Sequence, residues 1–600
     1  MKDRFLTGYH DFVIPFMVGM IFILTYLAIG VIRVIIQLPK EDRKKFFLSL
    51  INPKKLFKNF KDIINDVLLH TKIWKRKPLL GYMHASIAFG WFMIIVLGHL
   101  ETWLFVPDRL STLYYPVFFR FFVMETEHSI KGSLLFFLMD LFLLIILSGV
   151  FLAMFKRIRS RILGMRKTTK NQFPDRIAMW CLWAIFPVRL LAESFTAGIS
   201  GGSFLTKPMY WLFSNFLSDT YHIVPTWWVY SSILGLFFIL LPFTRYMHIP
   251  TEAFYIILRN AGIKASHYRN GYTTAEIYSC SNCGMCIDAC PMVVEKKNTK
   301  FVTVYFNRFL RRRNYKKCSE IADKCLMCGK CVAVCPVGID SCALKLKIRA
   351  KEAPSTVQKY DFFEKVEPIG DSSGKVLYYA GCMTQLTPII SKSVTGVLKK
   401  AGIDFTFMDQ DGGLCCGRPL LLAGKQEGAR ELIEKNSKLI KDSKCDTLLV
   451  SCPICYKVFK EEYKLDGIRV VHYTEYFNEL ISAGKISPEQ SGERIVYHDP
   501  CELGRGCKIY SEPRKALGAV AQLVEADKHH DESICCGGSL GTITLSSEDK
   551  KDITYYSFRN LTYNSPEKIV TACPLCMKTY GTVADRPVVD FAQIILENIK

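Results

Sequence analysis

Residues 280–291 read Cys280-Ser-Asn-Cys283-Gly-Met-Cys286-Ile-Asp-Ala-Cys290-Pro291, and residues 325–336 read Cys325-Leu-Met-Cys328-Gly-Lys-Cys331-Val-Ala-Val-Cys335-Pro336. Both are C-x2-C-x2-C-x3-C-P. In this pattern three closely spaced thiolates wrap one [4Fe–4S] cubane and the fourth reaches across to a second. The spacing assigns Cys280, Cys283, Cys286 and Cys335 to one cluster, and Cys325, Cys328, Cys331 and Cys290 to the other. A zinc site takes two cysteine pairs and needs no C-x3-C-P tail, which argues against zinc. Cys318 and Cys342 fall outside the pattern and are expected to be ordinary cysteines.

Two complete copies of this spacing resemble the bacterial two-cluster ferredoxins, which implies a small α-helical domain. Downstream, two segments match each other at a period of about 120 residues. The first holds Lys375-Val-Leu-Tyr-Tyr-Ala-Gly-Cys382, then Cys415-Cys416-Gly417, then Cys452-Pro-Ile-Cys455. The second holds Arg494-Ile-Val-Tyr-His-Asp-Pro-Cys501, then Cys535-Cys536-Gly537, then Cys573-Pro-Leu-Cys576. Strand-type runs lead into the first cysteine and into each Cys-Pro-x-Cys, with helical stretches such as 424–443 between them. Two related α/β modules are predicted, each presenting thiols at strand ends. Adjacent thiolates in Cys-Cys-Gly share one turn, where glycine lets the backbone approach closely. These motifs are similar to the cysteine-rich CCG domain of the catalytic subunit of heterodisulfide reductase. That resemblance implies that all ten cysteines ligate iron, in one or two further [4Fe–4S] clusters of cubane or non-cubane type. A structural zinc in one module is the alternative. Cys445 and Cys507 lie outside the motif.

Upstream the character of the chain changes. Of 23 cysteines, only Cys181 precedes residue 250. Five apolar runs, 12–37, 80–106, 133–155, 176–198 and 226–248, exceed the roughly 20 residues needed to cross a bilayer. The first is too long for a signal-peptide core and lacks a small-residue cleavage site. The segments 38–79 and 156–176 carry twelve and eight Lys/Arg, whereas 107–132 and 199–225 carry three and one. The positive-inside rule then puts the N-terminus outside and residue 249 onward in the cytoplasm, as in a multi-pass protein of the cytoplasmic (inner) membrane. The net charge of +23 has this topological meaning, and no nucleic-acid-binding motif accompanies it.

Ionisable groups inside spans mark functional sites by default. His84 near the inner end of span two and His248 at the predicted inner end of span five share one depth and are candidate axial ligands of a haem. His99, fifteen residues beyond His84, stands about 22 Å further out at 1.5 Å per residue. It is a candidate for a second haem with His222 or His128. Glu101, Asp140, Arg189 and Glu193 are candidates for a proton path or a quinone headgroup, although Arg189 and Glu193 at i, i+4 can simply pair. Five spans with basic inner loops and these histidines resemble the nitrate reductase gamma-subunit type of cytochrome b. That resemblance implies one or two haems b and a quinone substrate.

The expected order is a transmembrane five-helix bundle (1–250), a ferredoxin-like domain (251–365) and two CCG modules (366–490 and 491–600). Neither a Walker A loop nor a G-x-G-x-x-G fingerprint occurs, so a separate partner must deliver or take electrons. The whole order resembles membrane-bound iron–sulfur oxidoreductases of the heterodisulfide reductase type that link electron-transfer flavoprotein to menaquinone. The resemblance implies an electron-transfer oxidoreductase between such a cytoplasmic donor and menaquinone. Two other readings stay open: a quinol-dependent reductase of a heterodisulfide or protein disulfide, and a non-catalytic relay component of a larger complex.

Overall fold

The computed structural model describes residues 11–105, 117, 129–158, 169, 171–214, 219–265, 267, 269–294, 299–352, 375–410, 412 and 414–600. The chain divides into two compact units, Met1–Gly284 and Met285–Lys600.

The first unit contains five helices long and apolar enough to cross a membrane, Asp11–Gln37, Pro78–Leu104, Ile130–Ile158, Phe173–Gly198 and His222–Phe243. Each exceeds the roughly 20 residues a bilayer requires. Span two packs along span three, and span five packs along spans one and four. Small residues let backbones meet, as in membrane helix pairs. A Cβ added to Gly19 would lie 2.5 Å from Gly235 O, and one on Gly235 would lie 2.1 Å from Pro15 O. Span one turns Phe16, Gly19 and Ile23 inward while Ile21, Ile29, Ile32 and Ile36 stay exposed. An apolar outer face of this kind suits lipid rather than water.

The fifth span differs from its predicted limits. The helix Asp219–Leu240 runs through Pro225, so His222 is helical, and it ends before Pro242. Proline has no N–H and clashes with the preceding turn. Two short 3-10 turns follow, Leu241–Phe243 and Arg245–Met247, and His248 begins a separate helix, His248–Asn260.

In the second unit, short helices Met285–Ala289, Thr303–Arg311, Tyr315–Asp323, Lys330–Ala333 and Ser341–Glu352 form the ferredoxin-like segment. Two four-stranded sheets follow. The first contains β1 (Val376–Tyr379), β2 (Phe405–Phe407), β3 (Thr447–Val450) and β4 (Arg469–His472) in the order β2-β1-β3-β4. The second contains β5 (Arg494–His498), β6 (Gln522–Val524), β7 (Lys568–Thr571) and β8 (Val588–Asp590) in the order β6-β5-β7-β8. All pairs are parallel, with Val376 beside Thr447 in one sheet and Ile495 beside Lys568 in the other. Central strands such as β1 are buried along their whole length, as sheets covered on both faces require. The predicted pair of related α/β modules is thus present. Tyr473 OH donates to Asp590 Oδ2 at 2.8 Å and Lys400 Nζ to Ile599 O at 2.7 Å, joining one module to the other.

Candidate iron–sulfur centres and a histidine cluster

In each module the chain runs β1→β2 (or β5→β6) in one direction and then crosses to β3 (or β7). That reversal opens a crevice at the carboxyl ends of the two central strands, where open α/β sheets bind ligands. Cys382 and Cys452 follow β1 and β3, and Cys501 and Cys573 follow β5 and β7. Cys452 and Cys573 sit at the N-caps of the helices Pro453–Glu461 and Pro574–Tyr580. Between them lie the adjacent pairs. Gly417 and Gly537 both take left-handed backbone, at φ +84° and +89°. A Cβ on Gly537 would stand 2.7 Å from Thr554 Oγ1, so glycine is required on both counts.

The five thiols of each module form one unbroken series. Cys382 hydrogen-bonds to Cys415, Cys415 to Cys416, Cys416 to Cys455 and Cys455 to Cys452. In the second module Cys501 meets Cys535, Cys535 meets Cys536, Cys536 meets Cys576 at 3.3 Å, and Cys576 meets Cys573. Hydrogen bonds from Cys415 and Cys455 pull Cys416 down to about 5 against burial, so the thiolate, the metal-binding form, is favoured there. All five cysteines of the second module line one cleft, together with Leu422, Pro453 and Ile454 of the first. A crowd of convergent soft donors around such a space fits an iron–sulfur cluster.

The ferredoxin-like segment repeats the pattern. Cys290 lies within electrostatic reach of Cys328, Cys325 and Cys331, and burial, reinforced by those three, pushes its thiol up to about 12. The distant fourth cysteine therefore stands with the three that the spacing predicts. Cys280 and Cys283 belong to the first unit, while Cys286 and Cys335 belong to the second. Lys345 is buried, and its Nζ is 3.2 Å from Cys325 Sγ and 3.0 Å from Thr303 Oγ1. Cys342, expected to be ordinary, hydrogen-bonds to Cys331, which this contact holds down to about 6.

The second module and this site are joined. Cys535 hydrogen-bonds to Cys328 and is the largest influence pulling Cys328 down to about 5. Arg505, buried in the turn after Cys501, donates from Nε to Cys328 O at 2.7 Å and from Nη1 to Ser533 O at 2.7 Å. Lys330 Nζ donates to Glu532 O at 2.6 Å. The modules also meet through Glu502, which takes Arg418 at 3.0 Å and Lys457 at 2.9 Å. Against the upward push of burial, those two cations hold Glu502 down to about 2. Cys452 is within electrostatic reach of Cys573, so the two thiol series approach each other.

In the first unit, His84 has His70, Lys156 and His248 around it. The His70 and His84 rings stack with centroids 5.3 Å apart and planes 19° apart. Nothing in the sequence singles out His70, because it lies in a basic loop without apolar periodicity. Its local signal is a left-handed φ of +51° for a non-glycine residue, which marks a constrained position. Burial keeps the His70 imidazole below its ordinary range. His248 Nδ1 lies 2.6 Å from Arg245 O and His70 Nδ1 3.3 Å from Leu68 O. Donation from Nδ1–H to a carbonyl makes Nε2 the lone-pair nitrogen, the usual arrangement of a metal-binding histidine.

The outer candidates are placed differently. His99 is exposed, with Nδ1 2.9 Å from Ile95 O. His222 packs against Phe195 at 5.9 Å. His128 lies outside the described residues. Of the buried charges, Arg189 pairs with Glu193 at 2.8 Å and reaches Tyr230 OH at 3.3 Å. Asp140 accepts from Leu205 N and Thr206 N at 3.0 and 3.1 Å, capping the helix Thr206–Ser214. Glu101 is buried near the far end of span two.

Comparison with known proteins agrees with the cysteine patterns. Residues 276–339 match the 4Fe-4S dicluster domain, and residues 376–460 and 495–579 each match the CCG cysteine-rich domain. The chain is 31% identical to EtfAB:quinone oxidoreductase of Syntrophomonas wolfei over 34% of this chain and 30% of that protein. It is 26% identical to a fumarate reductase (CoM/CoB) component of Methanothermobacter marburgensis over 52% of this chain and 69% of that protein. It is 29% identical to a component of the dihydromethanophenazine:CoB–CoM heterodisulfide reductase of Methanosarcina acetivorans over 34% of this chain and 52% of that protein. The chain thus spans from under a third to about two thirds of these relatives, all of which are named as oxidoreductases or their components.

Proposed function

We propose that this chain is a membrane-bound iron–sulfur electron-transfer oxidoreductase working between a soluble redox protein and a membrane quinone. In our reading the donor is reduced electron-transfer flavoprotein and the acceptor is menaquinone. The single observation that carries this is the continuity of thiols from Cys382 through both modules to Cys328. Similarity to an EtfAB:quinone oxidoreductase supports the choice of partners.

The eight ferredoxin-type cysteines hold two [4Fe–4S] clusters in the sets that the spacing assigns. The ten cysteines of the modules hold one or two more. Bound clusters would supply one-electron carriers; the thiols hold them, Arg505 fixes the Cys328 and Ser533 carbonyls, Glu502 ties Arg418 and Lys457 to the second module, and the packed sheets exclude water. His84 and His248 are the proposed ligands of a haem b on the cytoplasmic side, with His70 beside them. His99, with His222 or His128, is the candidate set for a second. The iron–sulfur domains lie on the cytoplasmic side of the cytoplasmic membrane.

A second reading has its own observation. Five thiols, one more than a cubane takes, line the cleft at Cys501, Cys535, Cys536, Cys573 and Cys576, and one relative is a heterodisulfide reductase component. Quinol-dependent reduction of a disulfide at that site is the alternative. Iron, acid-labile sulfide and EPR measured on anaerobically purified protein test the shared premise. Two ferredoxin-type signals with at least one further cluster are expected, and protein loaded with zinc alone would refute both readings.

A further inference from the structure

The connection from span one to span two begins with two helices, Lys40–Ile51 and Pro53–Ile63. The second is built inside out for a water-soluble surface. Its polar Asn59 is 3% exposed, and Asn59 Oδ1 and Asp62 Oδ2 both accept from Asn260 Nδ2, at 2.9 and 3.0 Å, on the helix His248–Asn260. Its apolar Phe57 and Phe60 are 70% and 64% exposed, with Leu56 beside them. Phe47, Leu48 and Ile51 of the preceding helix are exposed as well. At 100° per residue, Leu56, Phe60 and Phe57 form one outward stripe, and Lys54, Lys61 and Lys58 form its flank. Those three lysines are exposed.

A helix that presents polar groups to its own protein and phenyl rings to the outside needs an apolar medium there. The chain enters these helices two residues after span one ends, which keeps them at the membrane boundary. We propose that they lie in the membrane–water interface, with Leu56, Phe57 and Phe60 sunk to the acyl boundary and Lys54, Lys58 and Lys61 bound to anionic phospholipid headgroups. This combination of an apolar stripe and a lysine flank is the chemistry of an interfacial amphipathic helix that prefers anionic lipid. The same helix runs through Ile64–Leu68 directly to His70, which stacks on His84. Lipid contact therefore braces the loop that carries His70.

The test uses the full chain in nanodiscs of phosphatidylcholine, with or without phosphatidylglycerol, and in detergent. The readout is amide hydrogen exchange of residues 53–63. Because one lysine near an anionic surface contributes about fivefold, exchange is expected to slow by about fivefold or more on adding phosphatidylglycerol. The Lys54→Glu/Lys58→Glu/Lys61→Glu variant should lose that increment while keeping the protection seen in phosphatidylcholine. The single Lys61→Gln should lose part of it, which guards against misfolding of the triple variant. Equal exchange with both lipids would overturn the proposal. So would protection that appears only when two copies share a disc, since a second copy would then cover the face.

Discussion

The thiol of Cys535, in the second module, hydrogen-bonds to Cys328 of the ferredoxin-like segment, and Arg505 clamps the Cys328 carbonyl from the same side. Two cysteine sets far apart in sequence thereby touch. The two cysteines of the adjacent pair should then behave differently. Cys536→Ser should remove the signal of the second-module cluster and leave both ferredoxin EPR signals. Cys535→Ser should remove the former and also change the line shape of the ferredoxin cluster held by Cys328. Identical spectra for the two variants would show that the contact does not couple the sites.

Lys345 places a buried ammonium against Cys325 Sγ. Positive charge and hydrogen bonds to cluster sulfur favour the reduced, more negative state. Lys345→Met should shift one ferredoxin cluster to lower potential by about 59 mV or more, a tenfold change for one electron, while the other stays put. Lys345→Arg should restore most of the shift. Thr303→Val, which removes hydrogen bonds to the lysine and to Cys331 but leaves the positive charge, should lower the potential by less than Lys345→Met. Redox titration followed by EPR reads all three.

The histidines give an optical prediction. His84→Ala and His248→Ala should each abolish the haem b absorbance of the cytoplasmic-side site. His70→Ala should retain haem, with an altered spectrum, because the ring stacks on His84. An unchanged bis-histidine spectrum in His248→Ala, with His70→Ala haem-free, would transfer the second ligand to His70.

Stability of the modules should depend on pH from both sides. Glu502 is held at about 2, below its ordinary 4.5, so its contribution is present above about pH 4.5 and is lost as pH falls toward 2; the shift corresponds to about 3 kcal/mol. Asp590 is pushed up to about 7 from 3.8 by burial. Its contribution is full below pH 3.8 and is lost as pH rises to 7, a change on the order of 4 kcal/mol. Relative to wild type, Asp590→Asn should therefore gain protection in β7 and β8 as pH rises from 4 to 8, and Glu502→Gln should flatten the acid limb. Hydrogen exchange from about pH 2 to pH 8, corrected for intrinsic rates, is the measurement. A wild-type profile without either slope would contradict both assignments.

The cysteine spacings make the ferredoxin-like segment and the two modules legible, because thiol ligands must recur at fixed steps. Long apolar runs make the spans legible, since a bilayer demands a minimum length. Tertiary features are not legible. The contact of Cys342 with Cys331 and that of Cys328 with Cys535 depend on how helices and sheets stack, which no local pattern encodes. On sequence His248 belongs to the end of span five because residues 240–247 stay largely apolar, whereas Pro242 breaks the helix there. The helix Pro53–Ile63 reads only as basic loop, because the packing of Asn59 on Asn260 decides which face looks outward.

The central claim is that electrons pass from a soluble flavoprotein through this chain to quinone. The most direct measurement follows the haem b α-band of the anaerobic, detergent-purified protein while chemically reduced electron-transfer flavoprotein is added. Rapid haem reduction, reversed by a menaquinone analogue, is the predicted result. Haem that stays oxidised with the flavoprotein, yet once pre-reduced is re-oxidised by a disulfide, would contradict it and establish the reductase reading instead.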